Sequence, residues 1–66
     1  MMTFMKQLLD EIERNQNLHQ EYIKLGFPGI IGSAMIRVDI DNAKKSIAED
    51  NLPEMLKNFE KLQNNK

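Results

Sequence analysis

The sequence contains no cysteine and one histidine, and these two shortages restrict its chemistry. Without cysteine the chain forms no disulfide bond and no thiolate metal site, and a single histidine excludes a His-rich metal site within one chain. The lack of cysteine is typical of a cytosolic protein, so we expect a cytoplasmic location. We also expect no membrane contact, since no apolar run approaches the ~18 residues of a span and Met1–Asp10 does not resemble a signal peptide.

An excess of charge of one sign is missing as well. Nine basic and ten acidic residues give a net charge of −1, so nothing draws the whole molecule to nucleic acid, and we do not expect it as a partner. A chain of 66 residues forms a single domain, 1–66, and buries only about 60% of its unfolded surface. With disulfides and metals excluded, the common remaining route to more burial is oligomerisation, which predicts a homo-oligomer.

The pattern predicts an all-α fold of three helices, a helical hairpin plus a short C-terminal helix. The first helix is expected from about Thr3, its N-cap, to Leu25, and Gly26-Phe27-Pro28 is a strong stop signal. Its apolar face comprises Met5, Leu8, Leu9 and Ile12. The same line then continues into Asn15, His19 and Tyr22. Either Asn15 and His19 face water while Leu18 and Ile23 continue the apolar face, or all three line a polar pocket or a polar layer between helices.

The second segment, from about Gly29 or Ile30 to Asp50, is apolar on two faces. A narrow stripe runs through Ile36, Ile40, Ala43 and Ile47. A broader arc, confined to the N-terminal half, holds Ile30, Ile31, Ala34, Met35 and Val38. A helix with two apolar faces needs a cover on both. We therefore predict that Ile31, Ala34, Met35 and Val38 form an interface between copies of the chain.

A local alternative remains open for residues 34–41. Met35 to Asp41 alternates apolar and polar residues and is rich in β-branched side chains, which is a strand pattern. A strand followed by two short helices resembles the ribbon-helix-helix arrangement, which pairs strands of two chains and inserts them in DNA. This ribbon would present Asp39 and Asp41 to phosphates, which is unfavourable.

The third helix begins with a good N-cap, Asn51, and Glu54 follows three residues later as in a capping box. Its single apolar stripe is expected to be core: Leu52, Met55, Leu56, Phe59 and Leu62. The polar tail 63–66 is expected to fray.

No residues are arranged for catalysis, and we predict a protein that is not an enzyme and uses no cofactor. The chain lacks a nucleophile beside a convincing base, a phosphate-binding loop and a dinucleotide fingerprint. Asp39 and Asp41 form a D-x-D, but the glycine and terminal glutamate of a calcium loop are missing, so no metal site is expected.

The glycine-rich turn is the remaining candidate site. Gly29 and Gly32 would let a ligand, or a neighbouring backbone, approach the amides of a helix N-terminus, which attract anions. Ser33 and Arg37 supply a hydroxyl and a guanidinium, and His19 and Tyr22 supply rings. We predict ligand binding at Gly29, Ile30, Gly32, Ser33, Arg37, His19 and Tyr22. The structural alternative is that both glycines only permit a tight helix crossing.

These features favour a non-catalytic homo-oligomer that sequesters a small anionic, nucleotide-like ligand, as a phage or mobile-element inhibitor would. A first alternative is an inhibitor or regulator of a host protein that uses the apolar face of the second helix. A second is the DNA-binding ribbon protein described above.

Overall fold

The computed structural model describes residues 2–26 and 29–65, which form three helices and, within those ranges, no strand: α1 Met2–Lys24, α2 Ile30–Ala48 and α3 Leu52–Asn64. The all-α class is confirmed. The strand alternative is wrong, because residues 35–41 lie inside α2, where the spacing of Ile36 and Ile40 places both in the core. The ribbon of the DNA-binding alternative is therefore missing.

α2 is the central element and packs against both α1 and α3, which contact each other less. The core is the seam between the three helices and consists of Leu8, Ile12, Ile36, Ile40, Ala43, Met55 and Leu62. At one end, Phe4 of α1 meets Phe59 of α3 edge to face, with ring centroids 5.4 Å apart. Within the described ranges, no helix combines the length and apolar character needed to cross a membrane.

The buried stripe of each helix is narrower than the sequence predicts. Leu9, on the predicted apolar face of α1, is 51% exposed, and Leu52 and Leu56, both expected in the core, are 54% and 51% exposed. Leu9 and Leu56 lie about 100° around their helices from buried Leu8 and Met55, and Leu52 lies about 60° from Met55, so the packing of three thin helices leaves all three leucines half exposed. Thr3 lies inside α1 and is not its N-cap.

A polar layer crosses the bundle at Asn15, which is fully buried. Its amide nitrogen donates to the carbonyl of Glu11 at 2.8 Å and to that of Leu62, in α3, at 3.2 Å. Its oxygen accepts from the side chain of Asn65 at 3.0 Å. Of the two alternatives for this position, the polar layer is the one observed, because a buried amide needs partners for both its ends.

Asn65, in the polar tail 63–66 that is expected to fray, belongs to the same layer, and Lys66 lies outside the described residues. The Asn65 amide also donates to the carboxylate of Asp39, in α2, at 3.0 Å. Arg14 of α1 donates to the backbone oxygens of Leu62 and Asn65 at 2.7 and 3.0 Å. These bonds satisfy carbonyls that the end of α3 would otherwise leave unpaired, and they join all three helices at one level.

Both connections between helices use a left-handed residue. Gly26, at φ 76°, follows α1 as expected, whereas Phe27 and Pro28 lie outside the described residues. After α2 that position is taken by Asp50, at φ 52°, and the amide of Asn51 donates to the carbonyl of Ser46 at 2.9 Å, as in a Schellman motif. Asn51 then caps α3, its side chain accepting from the amide of Glu54 at 3.3 Å, which confirms the predicted cap.

Candidate functional site

The glycine-rich turn brings α2 against the last turn of α1. Gly29 is buried, and a Cβ added to it would collide with the backbone carbonyl of Tyr22. A Cβ added to Gly32 would lie 3.1 Å from the Tyr22 ring. The space left by each missing side chain is thus filled by Tyr22, so the tight helix crossing accounts for both glycines without a ligand.

A groove of about 520 Å³ runs along the same crossing on the protein surface. α1 contributes His19, Tyr22 and Ile23 to it, α2 contributes Ile30, Ser33, Ala34 and Arg37, and Gly26 closes one end. Five of the seven predicted ligand-binding residues therefore surround one groove: His19, Tyr22, Ile30, Ser33 and Arg37. Gly29 and Gly32 are not among the residues that line it.

The groove is lined by both apolar and polar side chains. Ile23 and Ala34 were absent from the predicted ligand site. The residue spacing could have identified them, since Ile23 follows His19 by four residues and Ala34 follows Ile30 by four, which places each pair on one helix face. The guanidinium of Arg37 lies 4.0 Å from the carboxylate of Asp41, and both side chains are largely exposed.

The second apolar face of α2 has no cover from α1 or α3. Its large side chains are among the most exposed large apolar side chains of the described residues: Ile30 57%, Ile31 75%, Met35 64% and Val38 56%. With the exposed Ala34 they form what we call the outer face, comprising Ile30, Ile31, Ala34, Met35 and Val38. Ile30 and Ala34 also line the groove, so the two surfaces are continuous.

The remaining polar side chains of the interior serve the fold. The Ser46 hydroxyl donates to the carbonyl of Ala43 at 2.7 Å, and the buried amide of Asn58 donates to the carbonyl of Asn42 at 3.2 Å. Within the described ranges, no buried side-chain nitrogen or oxygen lacks a hydrogen-bond partner, and no three acidic or histidine side chains gather as a metal site would require. The interior of these segments therefore supplies no unsatisfied group to hold a ligand.

The fold and the groove define a small three-helix protein with an uncovered apolar face on α2. No protein-family model, curated protein or solved structure matches the chain. The groove and the outer face are therefore the candidate functional surfaces of this chain.

Proposed function

We propose that this protein is a non-catalytic, cytoplasmic binding protein that assembles with copies of itself through the outer face and holds a small anionic, nucleotide-like ligand in the groove. The observation that supports ligand binding is the groove, whose lining combines two rings, a hydroxyl and a guanidinium with aliphatic side chains. The lack of a nucleophile paired with a convincing base supports a role in binding, and the lack of cysteine supports the location.

The groove suits a ligand with a flat apolar part and a charged end. Ile23 and Ile30 offer aliphatic contact, and the Tyr22 and His19 rings offer edges or faces to a planar group. Arg37 can bind a phosphate or carboxylate through two parallel N–H groups. The ion pair between Arg37 and Asp41 is solvent-exposed and worth at most about 1 kcal/mol, so a phosphate can replace the carboxylate.

A thermal-shift screen with linear and cyclic nucleotides tests this ligand class. A ligand present at about 100 times its Kd should raise the Tm by roughly 10 °C or more in a domain of this size. Arg37→Ala should abolish that rise. Lys44→Ala is the matched control, because it removes an exposed basic side chain of α2 that does not line the groove. If no nucleotide of the panel raised the Tm, the proposal that the groove binds a nucleotide-like ligand would be refuted.

Self-association is supported by the exposure of the outer face. Burying a large aliphatic side chain that is half exposed or more contributes about 1 kcal/mol or more, and a symmetric pair would bury such side chains from two chains. The summed free energy of this burial is comparable with the ~4–15 kcal/mol that two chains lose in translational and rotational freedom when they associate. A monomer would instead leave the contiguous apolar patch in water, where it favours non-specific association.

A second candidate function is the occlusion of a partner protein by the same outer face. The observation that favours it is Ile31, the most exposed large apolar side chain among the described residues at 75%. Exposed aliphatic side chains on a single helix face are a common form of docking surface for another helix.

Affinity capture from the native host tests whether the outer face binds a partner protein. One protein should be retained in stoichiometric amount by the wild-type chain and lost with Ile31→Ser. Leu9→Ser is the matched control, because Leu9 is also exposed but lies on α1, away from the outer face. Equal loss with both variants would contradict occlusion by α2.

A further inference from the structure

The outer face continues beyond its apolar part into charged residues. Ile30, Ala34, Val38 and Asp41 follow one another at steps of four, four and three, so they lie on one stripe of α2. Ala34 lies at the middle of the outer face and is the smallest residue of that face. A small residue at the crossing point lets two helices approach closely. The stripe is therefore apolar on both sides of a small centre and acidic at one end.

The opposite end of the same helix lacks an anion. α2 begins at Ile30, its N-cap Gly29 has no side chain to cap it, and no acidic residue lies in its first turn. The first turn of α1 has no acidic residue either, whereas α3 has both the Asn51 cap and Glu54. The N-terminus of a helix carries a partial positive charge, so an external carboxylate would stabilise the start of α2.

We infer that a second copy of this chain packs its α2 antiparallel across the outer face, with a twofold axis at Ala34 and Asp41 of each copy just beyond the start of the partner's α2. This inference rests on the self-association part of the proposed function. With the axis at Ala34, Val38 lies opposite the partner's Ile30. Asp41 lies about 10 Å from the axis along the helix, at 1.5 Å per residue. Its side chain leans toward the N-terminus of its own helix, which brings the carboxylate back toward the partner's first turn.

The antiparallel arrangement is also the one that the charges favour. A parallel pair would place the two uncapped N-termini side by side, where their partial positive charges repel each other. The antiparallel pair instead brings Asp41, which lies 4.0 Å from Arg37 of its own chain, near the start of the partner's α2. The net charge of −1 adds little long-range repulsion between two chains.

Cross-linking and sedimentation test the arrangement separately. The chain has no cysteine, so single cysteine substitutions report proximity without interference. Ala34→Cys should oxidise rapidly to a disulfide-linked dimer. Ile30→Cys should form little homodimer alone but should cross-link with Val38→Cys when the two variants are mixed. A faster Ile30→Cys homodimer would overturn the antiparallel pair while leaving the proposed self-association and ligand intact.

Sedimentation equilibrium supplies the energetic test. Asp41→Lys should raise the dimer dissociation constant roughly tenfold or more, since it removes an attraction and adds a repulsion at the partner's helix N-terminus. Glu60→Lys is the control: it makes the same change of charge at an exposed position of α3 and should leave the constant unchanged. Val38→Lys should give a monomer with unchanged circular dichroism. A wild-type chain that remains monomeric at high concentration would refute the self-association and this inference with it, whereas nucleotide binding would still be decided by the thermal-shift screen.

Discussion

The backbone carbonyl of Tyr22 occupies the position that a Cβ at residue 29 would need. The backbone of Gly29, at φ −92° and ψ −4°, is accessible to every residue type. The need for glycine is therefore steric and comes from the neighbouring helix. Gly26 is the opposite case: its φ of 76° favours glycine, while the space around it is open.

Gly29→Ala should consequently destabilise the protein by about 3 kcal/mol, at the upper end of the range for overpacking, because a backbone segment has to move. Gly32→Ala should cost about 1 kcal/mol, since the atom in its way belongs to the Tyr22 ring, which can shift by a few tenths of an ångström. Urea unfolding followed by circular dichroism measures both. Equal costs for the two variants would contradict the difference between backbone and ring contact.

Asp50→Gly should stabilise the protein by about 0.5–1 kcal/mol. The left-handed conformation costs a residue with a Cβ more than it costs glycine, and the aspartate also places a negative charge next to the C-terminal end of α2. Ala48→Gly is the control two positions earlier: it lies in the last turn of the helix and should lose about 1 kcal/mol. In thermal unfolding the two glycine substitutions should move the Tm in opposite directions by roughly 4–8 °C per kcal/mol.

Asn15 and Asn65 should be energetically coupled. A double-mutant cycle with alanine at both positions is expected to give a coupling of about 1 kcal/mol, because the two side chains are joined by a hydrogen bond within the polar layer. Asn64→Ala, at an exposed neighbouring position, should change the free energy of unfolding by less than about 0.5 kcal/mol. A coupling near zero would mean that the hydrogen bond between Asn15 and Asn65 does not contribute to stability.

Leu8 and Leu9 are adjacent in sequence and should respond differently to truncation. Leu8 is fully buried, so Leu8→Ala should cost about 3 kcal/mol through lost contact and the cavity it leaves. Leu9→Ala should cost less than about 1 kcal/mol, because Leu9 is 51% exposed. Denaturant titration of the two variants checks the limits of the core, and similar losses would show that α1 is covered on its outer side as well.

The repeating pattern of apolar residues predicts most of the helical structure, because a helix face depends on neighbours three and four positions away. Ile36, Ile40 and Ala43 are found in the core as their spacing indicates, and Asn51 caps α3 as its type and distance from Glu54 indicate. The five groove residues that were predicted together also owe their proximity to local factors, a helix stop and the helix that follows it.

Sequence by itself thus determined the three helices, the glycine that follows α1, the N-cap of α3 and the two apolar faces of α2. Only the tertiary structure decided that Asn15 is buried, that Leu9 is exposed, and that Gly29 and Gly32 lie against Tyr22. A buried amide is stable only where distant groups such as the Leu62 carbonyl and Asn65 complete its hydrogen bonds. A leucine is core only where another helix reaches it, and Gly29 is required only because the Tyr22 carbonyl lies against it. Such requirements come from residues that meet after folding, which spacing along one helix does not record.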